Sequence, residues 1–338
     1  MWEIFKFELQ YRKKRPATYI YFLIMFLMAF CAITTDVIQV GGSGGQVKEN
    51  APTTITFFLA ILSVIPGMLL ASAVMGVPIL RDFEHKTASM LYTTPITKYQ
   101  YLGGRFLGSL VITIFIFSGI LLGMMLGYLM PWIDQDKLLP YNVGHMIKPF
   151  FLFVLPNVFI MACLFFSSGA LSRKLLMVYV QGIFLFIIYA ITGELMEDWE
   201  NQELGALLDP FGLNTNDFVT RYWTVAEQNT QTVGFSGLIL WNRLLWMGLA
   251  LLTLLFTFWK FDFNLVGNAS RKQKKKAKLA SSGVSPTLAN VAIPKVQRFT
   301  GLKTQLQQII DLSIFYFKWI VNQIPFLAIA FGLSLIHI

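Results

Sequence analysis

The side chains able to do covalent or metal chemistry are few and scattered. Three histidines, His85, His145 and His337, stand far apart, and none belongs to an H-E-x-x-H pair, so no zinc-ligand spacing is present. Cys31 and Cys163 both lie inside apolar runs, where neither a disulfide framework nor a thiolate site fits. No G-x-x-x-x-G-K-[ST] occurs. The glycine-rich GGSGGQVKEN from Gly41 lacks the lysine spacing and a preceding strand, so ATP binding through a phosphate loop is not expected of this chain. No catalytic residue, cofactor or metal is therefore expected. The polar groups that do concentrate form one stretch, LRDFEHKTASMLYTTPITKYQYLGG from Leu80 to Gly104, between two long apolar runs. What such a stretch offers is recognition: charges, hydroxyls and a proline break fixed at one place on a greasy chain.

The elements that must hold it are membrane helices. Of 338 residues, 55% are hydrophobic and only 13% charged, half the charged share of an average soluble domain, and the mean hydropathy is +0.60. Apolar runs long enough to span a bilayer fall at about 17–37, 55–80, 102–130, 149–171, 175–192 and 238–258, and a seventh begins near Trp319. They lack the two-residue alternation of barrel strands, so the expected fold is an all-α integral membrane bundle of six spans. These spans are read as free of Asp, Glu, Lys and Arg at their centres, with Arg243 counted among the outer loops, and this weakens an ion-coupled carrier as an alternative.

Basic residues in short loops stay on the cytoplasmic side. With the N-terminus inside, that side receives Lys6, Arg12, Lys13, Lys14 and Arg15, then Arg81, Lys86, Lys98 and Arg105, then Arg173 and Lys174, then the run from Lys260 to Lys303. The loop from Glu194 to Gly237, with Glu194, Glu197, Asp198, Glu200, Glu203, Asp209, Asp217 and Glu227 against Arg221, falls outside. It reads first as a solvated acidic loop and second as a short helical cap over an outer mouth.

Residues 1–16 place Trp2, Phe5 and Leu9 on one helical side and Glu3, Lys6, Gln10, Lys13 and Lys14 mostly on the other, as expected of a helix lying in the inner interface. Each basic residue there gains roughly 1 kcal/mol from anionic lipid. The segment 263–302 carries RKQKKKAK followed by a Ser, Gly and Pro-rich tract, which reads as a disordered cytoplasmic linker whose charge contacts lipid rather than nucleic acid. IFYFKWIVNQIPFLAIAF from Ile314 then repeats the pattern of IFKFELQYRKKRPATYIYF from Ile4, so 303–338 is expected to open a second half, and a chain stopping at LSLIHI inside an apolar run reads as a fragment of a longer protein.

Within the polar stretch, RDFEHKTASMLY has no helix breaker and is expected to form one helix. Thr94-Pro95 ends it. TKYQ, with Thr97 as N-cap and Gln100 at the third position, forms a capping box that starts the next helix. Helix, break, helix makes a compact knob suited to docking, with His85 on its surface.

The segment RDFEHKTASMLYTTPITKYQYLGGR resembles the cytoplasmic connection of ABC-2 type transporter permeases, roughly R-D-x-E-x-x-T-x-x-x-L-x-x-x-P-I-[ST]-[KR]-x-x-Y-x-x-[GA]-[KR]. Arg81, Asp82, Glu84, Thr87, Leu91, Pro95, Ile96, Thr97, Lys98, Tyr101, Gly104 and Arg105 stand at its positions. The resemblance covers about residues 1–262. It implies a six-span ABC-2 bundle in a bacterial inner membrane that moves an unknown substrate, with export favoured. It also implies a separate cytoplasmic ATPase, which would bind the ATP and dock on residues 81–101, and a second permease half or copy as partner. LLDPFGLNTNDFVTRYWTVAEQN and GLILWNRLLW resemble a narrower subgroup in which two permease halves precede an M1-type zinc aminopeptidase. That peptidase would lie beyond this chain, and the alternative it raises is a membrane anchor for the enzyme.

Overall fold

Six helical segments of the computed structural model are long and apolar enough to cross a membrane: Pro16–Thr34, Pro52–Glu84, Lys98–Gly127, Gly144–Ser172, Leu175–Leu195 and Gly237–Lys260. The structure describes residues 1–35, 46–85, 87–263 and 301–321, and among these every regular element is helical. The glycine-rich stretch at 41–45, Lys86, residues 264–300 of the basic linker and residues 322–338 of the seventh apolar run lie outside the described residues.

Helix α1 (Trp2–Lys13) precedes α2 (Pro16–Thr34), with Pro16 at the first turn, where its missing N–H costs nothing. Helix α3 (Pro52–Met75) runs through Gly76 into α4 (Val77–Glu84), and α5 (Ala88–Tyr92) is little more than one turn. The capping box read from Thr97 and Gln100 is present and starts α6 (Lys98–Gly127). The fourth span joins α7 (Gly144–Pro149) to α8 (Leu155–Ser172) through a π turn at Phe150–Val154. Pro156 cannot donate to a carbonyl one turn back, and the ladder around it is wound in the wider register. Helix α9 (Leu175–Leu195) is followed by three short helices, α10 (Gln202–Leu208), α11 (Leu213–Thr220) and α12 (Val225–Thr230), and by α13 (Gly237–Lys260).

The spans alternate between two ends. At the basic end, the Arg173 guanidinium lies 4.3 Å from the Phe83 ring centroid and donates to the Asp262 carbonyl at 3.1 Å, while Lys98 Nζ donates to the Trp259 carbonyl at 3.0 Å. At the acidic end, the Lys48 amide donates to Asn229 Oδ1 at 2.8 Å, and Asn50 exchanges side-chain bonds with the Leu139 backbone at 2.7 and 2.6 Å. The acidic loop contains three short helices, and Asp209 in it is fully buried, whereas Glu194, Glu197, Asp198, Glu200, Glu203 and Asp217 are exposed.

Helices α3 and α8 form the centre, while α2, α9 and α13 each keep one apolar face outward, as at Leu27, Phe184 and Leu252. Helix α2 lies along α6 on Gly119, Gly123 and Gly127, three small residues one turn apart that bring the backbones together. A Cβ at Gly123 would fall 2.3 Å from the Phe26 carbonyl oxygen, a contact that no rotamer can relieve. The chain divides into two units, Met1–Asp262 and Phe263–Ile338. In the second, α14 (Leu302–Val321) is helical through the I-F-x-F of Ile314 to Phe317.

Gly123→Ala is expected to destabilise the bundle by about 1–3 kcal/mol. Gly248→Ala on α13, where an added Cβ meets nothing within 4 Å, is expected to be neutral or stabilising by up to ~1 kcal/mol. Unfolding in mixed detergent micelles, followed by circular dichroism, measures both.

Candidate functional site

Five ionised side chains meet at the basic end, from three helices. Glu8 of α1 is completely buried, and Arg12 Nε of the next turn donates to its Oε1 at 2.6 Å. Its Oε2 accepts from Arg81 Nη2 of α4 at 2.8 Å and from Arg105 Nη1 of α6. Arg105 Nη2 also reaches both oxygens of Asp82, at 2.8 and 2.7 Å, and the Tyr101 hydroxyl donates to Asp82 Oδ2 at 2.7 Å. Arg12 Nη2 continues into the bundle, to the Val74 carbonyl at 2.8 Å and to Ser109 Oγ at 3.3 Å. The Arg81 guanidinium stacks over the Tyr11 ring at 3.9 Å.

The backbone makes this possible. Helix α1 sits on α6 at Gly104 and Gly108, where an added Cβ would approach the Ile4 and Glu8 Cβ atoms to 2.7 Å. At any larger separation the Glu8 carboxylate would fall short of Arg105. Trp2 and Phe7 of α1 are exposed, and the face turned to α6 carries an acid. Sequence reasoning left Glu8 unassigned, although an acid four residues before Arg12 on a helix otherwise rich in bases was the available signal.

Of the residues read as a docking segment, Arg81, Asp82, Tyr101, Gly104 and Arg105 are buried in or against this cluster. Glu84, Thr87, Pro95 and Thr97 are exposed, and Leu91 and Lys98 are half-buried. The single helix expected over RDFEHKTASMLY is two, because α4 ends at Glu84 as an extension of the second span. The Thr87 hydroxyl takes the Asp82 carbonyl at 3.3 Å, a side-chain bond that competes with continued helix. Thr93 Oγ1 bonds the Met90 carbonyl at 2.9 Å, and Thr94 Oγ1 bonds the Leu91 carbonyl, closing α5 ahead of Pro95. Residues 87–97 form a short rim that exposes Met90, Thr94 and Pro95 while burying Ala88.

A second polar cluster lies toward the acidic end. The reading that no charged residue enters a span is overturned by Arg243, which sits in the second turn of α13 and is fully buried. Asn242 Oδ1 accepts from its Nε at 2.9 Å and from its Nη2 at 2.6 Å, and Asn157 Oδ1 of α8 accepts from its Nη1 at 2.9 Å. A buried arginine requires this many acceptors because its bare charge would cost several kcal/mol. Among the described residues no group of His, Cys, Asp or Glu is arranged to hold a metal ion. No family model, curated protein or solved structure matches the chain.

What the basic-end cluster can do is mechanical. It joins α1, α4 and α6 through shared ion pairs, in which Glu8 serves three arginines and Arg105 serves both acids. Burial alone would raise the Glu8 carboxyl, but Arg12, Arg105 and Arg81 outweigh it and hold it down at about 2, against an ordinary 4.5. A depressed carboxyl contributes its stability above its unfolded value and loses it as pH falls toward its folded one. Resistance to unfolding is therefore expected to fall between about pH 4.5 and about 2. Glu8→Gln is expected to cost about 3–5 kcal/mol at neutral pH and to flatten that limb, measured by detergent unfolding across pH.

Proposed function

We propose that the chain is the membrane-spanning permease part of an ATP-driven transporter of the ABC-2 type. A separate ATPase would dock on the exposed rim at Glu84, Thr87 and Pro95, and the buried cluster beneath would pass its movement into the spans. The observation that carries this reading is the join between the rim and the three helices at the basic end. Force on the rim meets α4 and α6 through Arg81, Asp82 and Arg105, and Glu8 carries α1 with them. A solvated connector would not need five ionised groups taken out of water to fix its base, because an ordinary loop dissipates such force.

In this reading the N-terminus lies on the cytoplasmic side of a bacterial inner membrane, a placement supported by the concentration of Lys and Arg at the end where the cluster sits. Substrate movement, with export favoured, would follow from tilting of α4 and α6 relative to the other spans. The residues divide into two roles: Glu84, Thr87 and Pro95 touch the motor, whereas Glu8, Arg81, Asp82, Tyr101 and Arg105 position and transmit.

Affinity purification of the tagged chain from its native membrane, followed by an ATP hydrolysis assay of the eluate, tests this. The unaltered chain is expected to bring down ATPase activity. Glu84→Lys is expected to lower it at least fivefold while leaving the unfolding midpoint of the purified chain unchanged. Full activity with Glu84→Lys would move the docking site elsewhere. No activity with the unaltered chain would favour the second reading, a membrane anchor for an enzyme domain.

A further inference from the structure

The acidic-end cluster has no part in the docking scheme, and its polar bonds lead to a defined edge of the fold. Residues 206–216, spanning the join of α10 and α11, are organised around Asp209. The Asp209 carboxylate accepts from the amides of Phe211 at 2.9 Å, Asn214 at 2.7 Å and Thr215 at 3.3 Å, and Thr215 Oγ1 closes back on the Ala206 carbonyl at 2.6 Å. The segment is thus a self-supporting piece with two attached edges. Along α9 the attachment is aromatic with two amide bonds beside it: the Phe211 ring lies 5.8 Å from both Phe186 and Tyr189, and Asn214 Nδ2 donates to Thr192 Oγ1 at 3.1 Å and to the Tyr189 carbonyl at 3.4 Å. Along α13 it is held by a cluster of polar bonds, since Asn242 Nδ2 donates to the carbonyls of Ala206, Leu207 and Asp209 at 3.0, 2.9 and 2.8 Å.

From Asn242 the bonds run inward without a gap. Asn242 Oδ1 holds Arg243, Arg243 holds Asn157, and Asn157 Nδ2 donates to Ser63 Oγ of α3 at 3.1 Å. Gly212 closes over the guanidinium in a left-handed conformation, φ 78°, and a Cβ there would fall 1.9 Å from Nη2. No side chain but glycine seats this segment on Arg243.

We propose that residues 206–216 form a lid over the acidic end of the bundle, hinged on α9 and latched to α13 by the Asn242–Arg243 pair. The chemistry of the two edges sets the direction of opening. Parting the α9 edge would expose aromatic surface to water, which is unfavourable in proportion to area. Parting the α13 edge returns an arginine and amide groups to solvent, where hydration replaces the bonds they lose. Closed and open states joined by such an edge differ by little, which suits a two-state element. The lid stands independently of any motor at the basic end.

Hydrogen–deuterium exchange of the full chain in lipid nanodiscs tests the latch. Asn242→Ala is expected to raise amide exchange in residues 206–216 at least tenfold, with the amides around Glu8 and Arg105 and those of α8 keeping their protection. Arg243→Gln is expected to do the same, and if it fails to fold, Asn242→Ala decides alone. Unchanged protection of 206–216 in Asn242→Ala would overturn the latch. Loss of protection in α3 and α8 along with the lid would also overturn it, since the pair would then be holding up the whole bundle.

Discussion

Glu8 cannot sit where it does without three arginines, and the basic end of the bundle is built around that constraint. A lone carboxylate buried in a low-dielectric interior is costly by several kcal/mol. Arg12, Arg81 and Arg105 reverse that cost, but they bring more positive charge than Glu8 balances. Asp82 takes up part of the excess, and Tyr101 fixes Asp82. Arg81 with Asp82 brings in α4, and Arg105 with Tyr101 brings in α6. The glycines of α6 follow from the same need, because only a bare backbone admits α1 close enough for a glutamate side chain to reach across.

The second cluster obeys the same rule with neutral partners. Arg243 bonds amides rather than carboxylates, Asn242 and Asn157, with the Phe153 ring centroid 5.7 Å away and the buried Asp209 carboxylate acting on it through space. Helices α3 and α4 connect the two clusters. Ser63 receives the acidic-end bonds, and Arg81 lies 18 residues further along, roughly 27 Å at helical rise. Pro66 interrupts the ladder of α3 just past Ser63, so this continuous rod is weakest beside the acidic-end cluster.

The legible parts of this fold were those decided by local composition. The six spans follow from runs of apolar residues, and the Thr97 capping box follows from four adjacent ones. Gly123 and Gly127 are small enough to let helices approach closely, but nothing in their spacing names α2 as the partner. The charged residues were misread for a common reason, that loop and surface were taken as the default place for a charge. Glu8 was left without a place, and Arg243 was counted with the loops despite lying inside an apolar run. A buried arginine left without partners costs several kcal/mol, and that magnitude called for acceptors. Asparagine immediately before Arg243 was the visible clue. The break at His85 to Thr87 could not be read, because no residue there is a strong breaker and the Thr87 bond depends on where Asp82 is held.

The reach of Glu8 across the fold also has a consequence in time. Arg105 is made 97 residues after it, so at ribosomal speeds of about 5–20 residues per second the acid emerges roughly 5–20 s before its last partner. Until then α1 has no buried seat to occupy, and its carboxylate must stay in contact with water at the membrane surface. Helix α1 therefore reaches its final place only after the third span has been made, and α6 is the helix that draws it in.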